Sequence, residues 1–142
     1  MKKIILFILV LILFSCGASS PRISETKPLF EVLTQQNDGG ASIRFFEILT
    51  EEKEIGMLQN DEYLKKKISA NDIQTSNFII LNMGEKNTGG FKIGIESAIE
   101  NDKNIIITVK ETIPDQNAIS TQSYTYPYSV VKINSKKEII IK

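Results

Sequence analysis

Apolar positions recur at three spacings along the chain. From Ile4 to Phe14 they are continuous, and two lysines precede them. Residues 29–34 (LFEVLT) and 42–49 (SIRFFEIL) are short β-rich runs on either side of Asn37-Asp-Gly-Gly40. Glycine reaches positive φ without steric cost, so this arrangement predicts a hairpin. Next, Thr50 followed by Glu51 and Glu52 has the form of a helix N-cap with acid in the first turn. Ile55, Leu58, Tyr63, Leu64 and Ile68 then give an imperfect helical stripe, running through Lys65, Lys66 and Lys67 and open to a break near Asn60 and Asp61. The lysines read as a solvated helix end that complements the macrodipole, with contact to anionic lipid headgroups as the alternative. Beyond Asn71 the period becomes that of strands: the run 78–83 (FIILNM), then Phe91, Ile93 and Ile95, then Ile105, Ile107 and Val109. Val130, Val131 and Ile133 are expected to form a last hairpin with residues 139–141. The turns fall at residues 100–103 and 134–137. The expected fold is mainly β (α+β), an antiparallel β-sandwich or open barrel of about seven strands with one helical insertion.

The leading apolar run of eleven residues covers roughly 16 Å as a helix, against the ~30 Å that a spanning helix must cross. It ends in Leu13-Phe-Ser-Cys16, which resembles a bacterial lipobox. The resemblance implies a lipoprotein signal peptide at residues 1–15, removed before Cys16, and lipidation of Cys16 on its thiol and freed amine. Two or more acyl chains anchor stably where one is marginal. A simple secretory signal followed by a free cysteine is the plainer alternative. Residues 16–28, small, polar and punctuated by proline, are expected to be a tether, with the β domain at residues 29–142. The expected location is the bacterial cell envelope, with Gly17 after the cysteine leaning to the outer membrane.

Composition narrows the chemistry. The 142-residue chain holds 17 basic and 17 acidic side chains, one cysteine and no histidine. Loss of Lys2 and Lys3 with the signal leaves the balance slightly acidic, so nucleic acid is not an expected partner. Without histidine, Ser–His–Asp and Cys–His arrangements are impossible, and zinc loses its usual ligands. Glu85, Glu96, Glu100, Asp102 and Glu111 are scattered over strands and turns and read as surface charges. No Asp-x-Asp-x-Asp run points to calcium. The expectation is a non-enzyme with no cofactor and no metal.

Two short motifs remain. Residues 84–91 (GEKNTGGF) lead into a strand and not a helix, so Asn87, Thr88, Gly89, Gly90 and Phe91 read as a turn or bulge and not as a phosphate loop. Residues 114–117 (PDQN) read as a loop, with a position beside that turn as the alternative. Tyr124, Tyr126 and Tyr128 recur at period two, which in an extended chain puts the rings on one face. Pro127 among them is expected at a sheet edge or bulge. Such a stripe is a candidate docking surface, while covering the sheet is the simpler role of any one ring.

The block 84–91 and its following strand, the block 109–114 (VKETIP) and the block 126–133 (YPYSVVKI) together resemble the C-terminal domain of the protease complex subunit PrcB. Residues 29–34, the Asn37-Asp-Gly-Gly40 turn and the Thr50-led segment are similar to the front half of that family. Asn87 stands where the family often has proline, Phe91 replaces a common tyrosine, and Asp-Gln-Asn follows Pro114 in place of a glycine-bearing turn. The resemblance implies an envelope protein that associates with a secreted protease and stabilises it. On this reading residues 87–91 and Tyr124, Tyr126, Pro127 and Tyr128 are the partner-binding candidates. The 87–91 loop is also loosely similar to the loops of chagasin-type inhibitors, which makes a protease inhibitor on a β-sandwich scaffold the alternative.

Overall fold

The computed structural model describes residues 27–115 and 122–142; Cys16, the segment before it and most of the expected tether lie outside them. Seven strands among these residues form two sheets. They are β1 (Phe30–Gln36), β2 (Phe45–Leu49), β3 (Asn77–Asn82), β4 (Lys92–Glu100), β5 (Asn104–Thr112), β6 (Tyr128–Ile133) and β7 (Glu138–Ile141), with helices α1 (Glu52–Leu58) and α2 (Ala70–Thr75) between β2 and β3. One sheet has the order β1-β6-β3-β2 and the other β4-β5-β7, so the mainly β, open sandwich is the architecture and no barrel closes.

Neither of the two expected terminal hairpins forms. β1 and β2 sit at opposite edges of the four-stranded sheet, with β6 and β3 between them. β6 and β7 belong to different sheets, and β7 runs parallel to β5. Proximity in sequence favours local pairing, but β3 and β6 carry apolar side chains on both faces, and covering both faces puts them at the centre. Their burial bears this out: all but one residue of each is buried. The turn expected at residues 100–103 lies between β4 and β5, and these strands pair as an antiparallel hairpin.

Two cores result. Ile79, Leu81, Met83, Ile93, Ile105, Ile107, Val131, Ile133 and Ile139 fill the space between the sheets. Phe78 and Val130, on the opposite face of the central strands, join Leu33, Leu49, Ile55, Leu64 and Ile68 beneath the helical segment. The expected helix is α1 followed by a separate turn, and α2 comes after it. α1 follows Glu51, not Thr50, and Glu51 N–H donates to Glu54 Oε2 at 3.4 Å. The chain breaks at Asn60 and Asp61, where Asp61 Oδ1 accepts from the N–H groups of Tyr63 and Leu64 and starts a new turn. Ser69 and Asp72 then cap α2, which helical periodicity did not reveal because only Ile73 in it is a large apolar residue. Of the three lysines, Lys65 pairs with Glu62, and Lys67 Nζ donates to the Leu33 carbonyl.

Lys132 projects from β6 into this outer layer and is almost fully buried. Its Nζ lies 2.8 Å from Glu31 Oε2 and 3.4 Å from Asp72 Oδ1, joining α2 to the sheet. Burial opposes the charge on Lys132, but the bonds to Glu31 and Asp72 outweigh it and raise its pKa. Burial likewise opposes the Asp72 carboxylate, and the hydrogen bonds from Ser69 together with Lys132 hold it below the ordinary carboxylate value.

Candidate functional site

Antiparallel register brings Gln36, Tyr128, Asn82 and Phe45 side by side across one end of the four-stranded sheet. Three loops leave from there: residues 37–44, 83–91 and the segment before β6. Asn82 organises the first of them. Its side chain is buried, its Nδ2 donates to the carbonyls of Ala41 at 2.9 Å and Ile43 at 2.6 Å, and its Oδ1 accepts from Ala41 N–H at 2.9 Å. An amide inside an apolar strand is costly unless all its bonds are made, and here they are made to loop backbone. Gly40 N–H donates to the Tyr126 carbonyl at 2.9 Å. Asn37-Asp-Gly-Gly40 is thus a docked loop and not a hairpin turn.

The two sequence motifs meet. Lys86 and Thr125 form an antiparallel bridge, with both N–H···O distances 2.9 Å. Thr125 Oγ1 donates to the Thr88 carbonyl at 2.8 Å, and Tyr126 Oη donates to Glu85 Oε2 at 2.9 Å. Tyr126 N–H in turn donates to Asp38 Oδ1 at 3.1 Å. The hydrogen bond to Glu85 is the main reason the Tyr126 phenol is pushed above its ordinary pKa. Gly90 has φ +93°, and a Cβ there would lie 2.8 Å from Pro114 Cβ, so the glycine turn does lie against Pro114; Gln116 and Asn117 are outside the described residues.

Asn87, Gly90 and Tyr124 are exposed, whereas Thr88 and Gly89 are partly covered. Phe91 packs against the inter-sheet core with the Lys86 ammonium 5.7 Å from its ring. Tyr128 packs under the helical layer, so the three tyrosines have three different surroundings. Pro127 is buried beside the central strand β6, where its carbonyl accepts from Met83 N–H at 2.9 Å. It precedes the first residue of β6, which is how a proline enters a central strand without removing a ladder bond. The expected position at a sheet edge or bulge is therefore corrected. Exposed apolar side chains border these segments: Ile43 at 75 %, Ile113 at 72 % and Tyr124 at 66 %.

Sequence reading missed Asn82, Asp38 and Glu85, and with them a cleft of about 420 Å³ lined by Gln36, Asp38, Gly39, Asp61, Tyr63 and Tyr128. The visible signal was an asparagine in the otherwise apolar run 78–83. Burial, and then the negative charge of Asp61, raise the Tyr128 pKa. No group of acidic or cysteine side chains able to hold a metal occurs among the described residues.

No curated protein and no solved structure matches the chain. Residues 77–134, from β3 through the glycine loop and the β4–β5 hairpin to the end of β6, match the family model PrcB C-terminal, so over this stretch the chain is PrcB-like, as its glycine-loop and tyrosine blocks suggested.

Proposed function

We propose that this is a non-catalytic, lipid-anchored module of the bacterial cell envelope that binds and stabilises a partner protease or another envelope protein. The PrcB C-terminal match points to association with a protease complex. The observation that carries the finer reading is the Lys86–Thr125 bridge, which joins two segments far apart in sequence into one surface with Asn87, Gly90 and Tyr124 outermost. A surface held by backbone bonds loses little entropy on binding, and tyrosine adds large contact area with few rotamers. Binding to the folded partner alone then stabilises it by mass action. Anchoring through Cys16 would keep both proteins at one membrane face.

Affinity capture of the tagged, lipidated chain from membranes, followed by mass spectrometry, tests the reading. A protease should co-purify, and deletion of the gene should lower that protease's abundance but not its message. Asn87→Ala with Tyr124→Ala should cut capture severalfold while leaving thermal stability unchanged. An unaltered protease level together with no co-purifying envelope protein would end the proposal.

A further inference from the structure

The cleft beside Tyr128 has a chemistry that the PrcB-like surface does not account for. We propose that it receives an arginine side chain from the protein partner, an inference that rests on the reading of the chain as a partner-binding module and specifies one contact. Asp38 enters from the loop after β1, Asp61 with Tyr63 from the turn after α1, and Tyr128 from the start of β6, so the walls come from three separate segments. Each carboxylate is held in place through one oxygen: Asp38 Oδ1 accepts from Tyr126 N–H, and Asp61 Oδ1 from Tyr63 and Leu64 N–H. Neither carboxylate is in an ion pair with any described basic side chain, since Lys65 is taken by Glu62 and Lys67 by the Leu33 carbonyl.

The cleft thus combines two positioned, uncompensated negative charges with two phenol rings, and it carries no cation to receive an anion. A planar guanidinium suits it best. It offers five donors in a fixed fork for the carboxylates and stacks on an aromatic face, whereas lysine presents a compact, strongly hydrated point charge. An apolar side chain would leave the two carboxylates desolvated and unpaired, at a cost in affinity.

The test is an NMR titration of the full chain in detergent micelles with three capped pentapeptides, Gly-Gly-X-Gly-Gly, in which X is arginine, lysine or norleucine. The arginine peptide should shift the resonances of Asp38, Asp61, Tyr63 and Tyr128 saturably and in a salt-dependent way; the lysine peptide should bind more weakly and the norleucine peptide not at all. Asp38→Asn with Asp61→Asn keeps the oxygens that accept from the backbone while removing both charges, and it should weaken arginine-peptide binding at least tenfold. Equal shifts with norleucine, shifts centred elsewhere, no saturable shift by about 10 mM, or undiminished binding by the double variant would each overturn the proposal. Membrane capture separates this from the broader reading. If the double variant captures the partner as well as wild type, the arginine contact is wrong and partner binding stands. If wild type captures nothing, partner binding fails and the peptide titration alone decides the cleft.

Discussion

Gly40 and Gly56 show how much a single Cβ means in this molecule. A Cβ on Gly40 would lie 2.2 Å from Asn82 Oδ1 and 2.8 Å from the Tyr126 carbonyl, so the loop could not dock. Gly56, inside α1, has nothing within 4 Å. Gly40→Ala should therefore destabilise by about 2–3 kcal/mol, the cost of leaving buried polar groups unpaired. Gly56→Ala should stabilise by about 0.5–1 kcal/mol. Urea denaturation midpoints with unchanged slopes would check both. Lys132 gives a second case. Asp72 has a lowered folded pKa, so its contribution is present above the ordinary carboxylate value near 4 and is lost as pH falls through the lower folded value. Lys132 has a raised pKa, so its contribution is complete below about 10.4 and is lost as pH rises through the higher folded value. Lys132→Met should cost about 3 kcal/mol by stranding Asp72 without its buried partner. It should also flatten the alkaline limb of a stability–pH curve; a limb as steep as that of wild type would contradict the assignment.

β3 separates the two cores with neighbouring residues. Phe78 faces the helical layer and Ile79 the opposite sheet. Phe78→Ala should cost about 3–5 kcal/mol and Ile79→Val about 0.5–1.5 kcal/mol. Methyl NMR shifts from the first should concentrate on Ile55, Leu64 and Ile68, and from the second on Ile93, Ile105 and Ile107. Shifts shared equally between the two sets would mean one continuous core. The strand itself was legible as an apolar run, but its central place was not, because strand order depends on how the whole sheet is covered. α2 was not legible, because a six-residue helix built on Ser69, Asp72 and Ile73 has too few apolar positions to show a period. The bulge in β1 between Val32 and Thr34 was also hidden, since no glycine marks it.

Across the whole molecule, the sandwich is tied at its β1–β4 side by one side chain: Gln35 Nε2 donates to the Ile93 carbonyl at 2.8 Å, passing where a Cβ on Gly94 would be 2.9 Å away. At the loop end, Arg44 Nε reaches Glu111 Oε1 at 3.0 Å and links the two sheets again. The helical layer rests on one face of the four-stranded sheet and is held largely by Ile55, Leu64, Ile68 and the Lys132 network. Amide hydrogen exchange should therefore be slowest in β3 and β6, while residues 59–75 open at a lower free energy than global unfolding. Identical protection of both regions would show that the layer does not open separately.

Periodicity, turn residues and composition determined the strand content, the β4–β5 hairpin and the absence of histidine chemistry, because these depend on neighbours in sequence or on residue type alone. The glycine and tyrosine blocks were legible for the same reason, as contiguous motifs. Which strands pair, and which loops meet, depended on burying β3 and β6 from both sides, a requirement that sums over the entire chain. Only the tertiary structure could place Asn82 under the 37–44 loop, bridge Lys86 to Thr125 and bring Asp38 to a cleft with Asp61. Each of these contacts joins residues whose separation in sequence is large and whose meeting is decided by the packing between them.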